Sequence, residues 1–175
     1  SRHNATNALA ALAAYAALDI PLGEAWRGAR DVSLSRWREE EAPLPGGGLL
    51  INDSYNANPI SMAAALDHLA ERARGRRRVA ILGEMAELGD QAPAYHTEVG
   101  AAASRAGVDL LVALGPLARG YRDGAEAVSE RVWASTVEEG LPIVRARVRP
   151  GDCVLVKGSR SMGLEVLAEV VRRGE

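Results

Sequence analysis

Along most of the chain, short apolar runs alternate with segments whose apolar residues recur every three or four positions. The runs "GLLIND", "RVAIL", "DLLVAL", "RVWAS" and "DCVLV" have the length and β-branched content of strands. Helical spacing fills the gaps over 60–73, 92–106, 116–127 and 136–147. On the first of these helices Ile60, Ala63, Leu66, Leu69, Ala70 and Ala73 share a face. A last helix is striped by Leu164, Leu167, Ala168 and Val171. Ahead of the alternation, an alanine-rich helix runs from Asn4 to Leu18 and ends before "DIPLG". Residues 32–53 read as extended, "VSLSRWREEEAP" and "GLLIND" being joined through the turn "LPGGG". Unbroken apolar strands, each followed by a helix, predict an α/β fold: a doubly wound, mostly parallel sheet with helices on both faces, preceded by an N-terminal helix.

In such a sheet, ligands bind outside the carboxyl ends of the strands. Four strand exits should therefore converge on one edge: "NDSYNANP" (52–59), "GEMAELGD" (83–90), "GPLA" (115–118) and "KGSRSM" (157–162). In the first of them, Pro59 suits the opening position of a helix and Asn58 its N-cap. That leaves Asp53, Tyr55 and Asn56 with no local reason to be there. In the last, Lys157, Ser159, Arg160 and Ser161 gather at the start of a helix, where backbone N–H groups and the helix dipole favour an anion. The competing reading is a serine cap with two solvated cations. Composition weighs against it: of 21 basic residues only Lys157 is lysine. Where a cation merely solvates a surface this chain uses arginine, so the exception implies a need for a compact three-donor ammonium.

A net charge of −2 supplies no field for nucleic acid, and no apolar stretch is long enough to span a bilayer. The lone Cys153, inside an apolar run, predicts a buried inert thiol in a reducing cytoplasm. The sequence holds no G-x-G-x-x-G opening a helix and no G-x-x-x-x-G-K-[ST]. His3, His68 and His96 have no metal-ligand spacing with Cys153, so no metal site is expected. His68 is expected to be exposed, and His96 to be solvated on a helix surface rather than clustered with Glu84 and Glu87. The run Arg72, Arg74, Arg76, Arg77 and Arg78 reads as a solvated helix end and strand start.

"NDSYNANPISM", "ILGEMAELGD" with His96 downstream and "VLVKGSRSMGLE" occur in this order in the C-terminal domain of the Mur ligase family. They resemble most the branch that adds D-alanyl-D-alanine to UDP-MurNAc-tripeptide in peptidoglycan synthesis. The opening "SRHNATNALAALAAYAAL" is similar to the helix that closes the family's central ATPase domain. The resemblance implies a Rossmann-like C-terminal domain over 31–175, with residues 1–30 a central-domain helix and linker. It implies an ATP- and Mg2+-dependent, cytoplasmic ligase whose substrate carboxylate is phosphorylated and then attacked by an amine. His3, Asn4, Asn7, Arg36 and Asp53 would lie on the ATP side. Tyr55, Asn56, Asn58, Lys157, Ser159, Arg160 and Ser161 would shape the dipeptide pocket. No catalytic residue is assigned. The phosphate loop, the Mg2+ ligands and the UDP-sugar domain of the family have no counterpart here, so this chain, read as a monomeric piece of a longer protein, is expected to be inactive alone. The alternatives are the C-terminal domain of another Mur-type or folylpolyglutamate-type ligase, or a flavodoxin-like binding module. A receiver-type module is disfavoured because "DLLVALG" ends in Gly115 and not in a phosphorylatable Asp.

Overall fold

The computed structural model of the chain describes residues 2–30 and 36–174. They form two compact units that divide ahead of Arg36. The first unit comprises α1 (Arg2–Ala17) and α2 (Leu22–Arg30). The sequence reading misses α2, whose "LGEAWRGAR" carries two glycines, each costing roughly 1 kcal/mol of helix propensity.

The second unit contains a six-stranded sheet in the order β1-β2-β6-β3-β4-β5. Its strands are β1 (Glu40–Leu44), β2 (Gly48–Asp53), β3 (Arg78–Gly83), β4 (Leu110–Leu114), β5 (Glu130–Ala134) and β6 (Cys153–Lys157). Only the β1–β2 pair is antiparallel. Five helices complete the unit: α3 (Pro59–Ala73), α4 (Ala92–Arg105), α5 (Arg119–Gly124), α6 (Val137–Arg147) and α7 (Glu165–Arg173). Alternate residues of each strand face opposite ways, which gives two apolar cores. Ile51, Ala80, Leu82, Leu111 and Leu155 pack with Leu66 and Leu69 of α3, Val99 of α4 and Tyr121 of α5. Leu50, Val79, Ile81, Val112 and Val154 pack with Val144 of α6 and Leu167 and Val171 of α7. The fold is the expected doubly wound one.

The local differences have physical causes. Of the expected extended stretch, 32–35 fall outside the described residues, and 36–39 form a turn with left-handed Trp37 (φ 65°) and Glu39 (φ 48°). Pairing starts only where Glu40 meets Asn52. The helix expected over 116–127 shrinks to α5, because the carboxylate of Glu84 takes the amide of Leu117 and holds the residues before α5 in a turn. Ile60, placed on the packed face of α3, is 84% exposed; Met62 and Ala65 take the buried positions instead.

The arginine run is not merely solvated. Arg72 grips Glu41 through two bonds of 2.7 and 2.5 Å, and Arg76 donates to the Gly47 carbonyl at 2.7 Å. Arg77 bridges Asp152 (3.1 Å) and Glu130 (2.9 Å), and Arg78 donates to the carbonyls of Ala106 and Gly107. These bonds staple the amino edge of the sheet, the edge away from the strand exits. His68 is half-buried and meets the same Glu41 at 3.2 Å, so it too is engaged rather than free in solvent.

Helices α4 and α5 touch through backbone. A Cβ on Gly100 would lie 2.2 Å from the Tyr121 carbonyl oxygen, and one on Gly124 would lie 2.1 Å from that of Thr97. No flexible side chain can yield at either place. Gly100→Ala and Gly124→Ala are each expected to destabilise the fold by about 1–3 kcal/mol, read from urea unfolding, despite alanine's better helix propensity.

Candidate functional site

Because β2, β6, β3 and β4 run parallel, the four strand exits do emerge along one edge. In register, Asp53 ends β2 beside Lys157 at the end of β6, and Lys157 also pairs with Leu82 of β3. Strands β2 and β3 lead into helices of one core while β6, between them, leads into α7 of the other. This is a topological switch point, where the loops diverge and leave a crevice.

Lys157 lies at its centre, 2% exposed. Its ammonium donates to Asp53 Oδ2 at 2.5 Å and to the Asn56 carbonyl at 2.9 Å. The other oxygen, Asp53 Oδ1, accepts the Glu39 amide at 3.3 Å. Charge is thus balanced internally, as a buried cation requires. Asn52 closes the strand by accepting from both the amide and the hydroxyl of Ser54. Asn58 is the N-cap of α3: its Oδ1 accepts from the Ser61 amide at 2.8 Å, and Ser61 Oγ accepts from the Asn58 amide at 3.1 Å. Asn56 Oδ1 accepts from the Ala57 amide. Tyr55 is exposed, with the guanidinium of Arg38 4.0 Å from its ring centre.

In the β6 exit, Ser159 is a tether. Its amide donates to the Glu84 carbonyl at 2.9 Å, and its hydroxyl accepts from the Ala86 amide at 2.8 Å. Arg160 pairs with Glu165 at 2.8 Å and stacks 4.2 Å above Trp37; Ser161 is exposed. On the expected ATP side, Arg36 lies 5.4 Å from the Trp37 ring centre, and Asn7 is exposed on α1 in the other unit. The side chains of His3 and Asn4 fall outside the described residues. Asp53, Tyr55, Asn56, Lys157, Ser159, Arg160 and Arg36 are therefore neighbours on one edge, whereas Asn58 and Ser61 serve the helix start.

The sequence reading misplaces His96. It is fully buried, 4.7 Å from the Tyr121 ring, and its two nitrogens are both in use. Nε2 accepts the Met85 amide at 3.1 Å, so Nδ1 carries the proton and donates to the Ala92 carbonyl at 2.6 Å. The imidazole is neutral, and burial pushes its pKa down. Together with the Tyr121 hydroxyl on the Gly83 carbonyl (3.0 Å), it fixes the loop after β3. Trp37 was also missed as part of this edge; the signal was an aromatic flanked by two arginines in "SRWRE".

Over residues 38–160 the sequence matches the family described as Mur ligase, glutamate ligase domain. The chain belongs to the Mur ligase family. Among its relatives is the UDP-N-acetylmuramoyl-tripeptide–D-alanyl-D-alanine ligase of Mycobacterium leprae, 40% identical over 156 residues, covering 79% of this chain and 30% of that protein. The ligase of the same name from Treponema pallidum is 38% identical over 175 residues, 98% of this chain and 37% of that protein. The crystal structure of MurF from Acinetobacter baumannii superposes with a TM-score of 0.82 at 28% identity, over 99% of this chain and 38% of that one. This Mur ligase chain spans about a third of the length of the curated relatives it matches. Among the described residues no helix is long and apolar enough to cross a membrane, and no group of three or more His, Cys, Asp or Glu side chains could hold a metal ion.

The depressed His96 pKa fixes the sign of a pH effect. Between the lowered folded value and about 6.5, the unfolded chain binds the proton and the folded chain does not, so stability falls as pH drops through that window. Unfolding free energies measured from about pH 7.5 down to 5.5 should decline in the parent and run flatter in His96→Gln, since no carboxylate with a lowered pKa has begun to protonate there.

Proposed function

We propose that this chain is the amine-substrate half of an ATP-dependent peptide ligase that joins D-alanyl-D-alanine to UDP-MurNAc-tripeptide in the cytoplasm. The observation that carries the reading is the junction of "NDSYNANP" and "KGSRSM". Two segments 104 residues apart in sequence meet through the Lys157–Asp53 bond at the switch point of the sheet. The relatives named for this activity align with nearly the whole chain, which supports the reading.

In the reaction, an oxygen of the tripeptide carboxylate takes the terminal phosphoryl group of ATP and ADP leaves. The dipeptide nitrogen attacks the acyl carbon, the bond to the phosphate oxygen breaks, and the nitrogen sheds a proton. What this chain contributes is placement. The loop 54–58 and the segment between β6 and α7 form the floor on which the dipeptide sits, with Tyr55, Asn56 and the exposed Ser161 facing it. Arg160 offers the charge for its carboxylate, exchanging the Glu165 contact for the ligand. Arg36 and Asp53 face the nucleotide, and His3, Asn4 and Asn7 belong to its adenine side. Residues 1–30 derive from the preceding domain and 31–175 form the dipeptide domain. Among the described residues no cluster of carboxylates could hold Mg2+, and this reading assigns its ligands to the preceding domain.

Amide-resolved NMR titration tests the assignment. D-Ala-D-Ala should shift amides within 52–59 and 157–162, whereas L-Ala-L-Ala should not. A preference for a single amino acid would instead favour a different Mur-type ligase. The chain alone should release no phosphate from ATP with or without the dipeptide, because phosphoryl transfer depends on a phosphate loop and metal that this sequence lacks.

A further inference from the structure

We propose that Lys157 is a positioning residue, rather than a ligand of the dipeptide, and that it couples the nucleotide-side turn 36–39 to the dipeptide-side loop 54–58. The inference rests on the functional reading above for the names of the two sides, but its geometry stands alone. One buried ammonium holds the carboxylate ending β2 and a carbonyl inside the loop, at 2.5 and 2.9 Å. The same carboxylate passes the hold to the turn by accepting the Glu39 amide. A second path runs in parallel: the Tyr55 amide donates to the Trp37 carbonyl at 3.2 Å, and Arg38 lies over the Tyr55 ring. The turn thus has its two left-handed residues, Trp37 and Glu39, tied to the loop that follows β2. Left-handed conformations in non-glycine residues persist only where surroundings over-determine them. Moving the loop therefore moves the turn that carries Arg36.

The geometry also accounts for the single lysine. An ammonium directs its protons tetrahedrally, toward a carboxylate and a carbonyl on different segments. A planar guanidinium is longer and presents a flat fork, which does not match acceptors set on two segments around one buried point. Arginine should not substitute here, although it serves at every other basic position.

The test uses the isotope-labelled chain and Lys157→Met, Lys157→Arg and Asp53→Asn. In the parent, D-Ala-D-Ala should shift not only 54–58 but also the Trp37 and Glu39 amides. In Lys157→Met the Glu39 and Tyr55 amides should exchange with water about tenfold faster or more, while Ile81 and Val112 in the sheet keep their protection. The dipeptide-induced shift at Glu39 should disappear, and Lys157→Arg should fail to restore it. Unchanged Glu39 exchange in a folded Lys157→Met, or full rescue by arginine, overturns the proposal. Should Lys157→Met not fold, Asp53→Asn carries the same expectation for Glu39, and unchanged exchange there overturns it equally. If the dipeptide shifts nothing in the parent, the functional reading fails, while the exchange comparison still decides whether Lys157 couples the two segments.

Discussion

The carboxyl edge of this sheet is organised around one buried positive charge. Placing an ammonium where water is nearly excluded is costly unless acceptors surround it, and removing one member of such a pair leaves an uncompensated charge that typically costs about 3–5 kcal/mol. Lys157 meets that requirement with Asp53 and the Asn56 carbonyl. The path of the chain out of β2 follows from the positions this imposes. Asp53 must sit at the end of β2, the loop must bring residue 56 back over β6, and α3 can begin only after that return. Asn58 and Pro59 then start the helix where the loop releases it. Asn58 and Pro59 thus serve the helix start, while Asp53 and Asn56 of the same turn answer to Lys157 across the edge.

A second set of constraints fixes the neighbouring exits. Ser159 joins the β6 loop to the β3 loop, Glu84 joins the β3 loop to the β4 loop, and His96 with Tyr121 pins the β3 loop from beneath. Gly115 adopts φ 112° under the Glu84 side chain, where a Cβ would fall 2.5 Å from Cγ. Each exit is thus tied to a neighbouring one by hydrogen bonds, most of them between a side chain and backbone, so the exits form one framework rather than independent loops. The polar groups left exposed, Tyr55, Asn56, Arg160 and Ser161, are carried on that framework. This separation between what is spent on structure and what remains available distinguishes the residues of the edge more sharply than their polarity does.

The sheet and its helices were legible because burial on both faces leaves unbroken apolar runs, and these mark strand positions regardless of ligands. The convergence of the strand exits was legible for a related reason: parallel topology brings them to one edge. Roles of individual residues were less so. His96 looks like any helix histidine in sequence; its burial arises because Gly100, Gly120 and Gly124 let α5 approach α4 closely, a three-dimensional fact with no local signature. The arginines of 72–78 looked solvated because their partners, Glu41, Glu130 and Asp152, are distant in sequence. The turn at 36–39 looked extended because left-handed Trp37 and Glu39 contradict the local preferences of both residues.

The lone lysine shows how far composition can reach. Its scarcity marked Lys157 as required, and the structure supplies a reason that scarcity could not: the requirement is internal. A free cation at a helix start would serve a ligand anion equally well as lysine or arginine. A buried one that must satisfy a carboxylate and a carbonyl from separate segments would not. Arg160, three residues on, is the contrasting case. Its charge is partly exposed, its partner Glu165 opens α7 just beyond its own loop, and its stacking on Trp37 suits a planar cation. Lysine therefore stands where a compact ammonium meets acceptors from two segments, and Arg160 where a planar cation stacks on an aromatic ring.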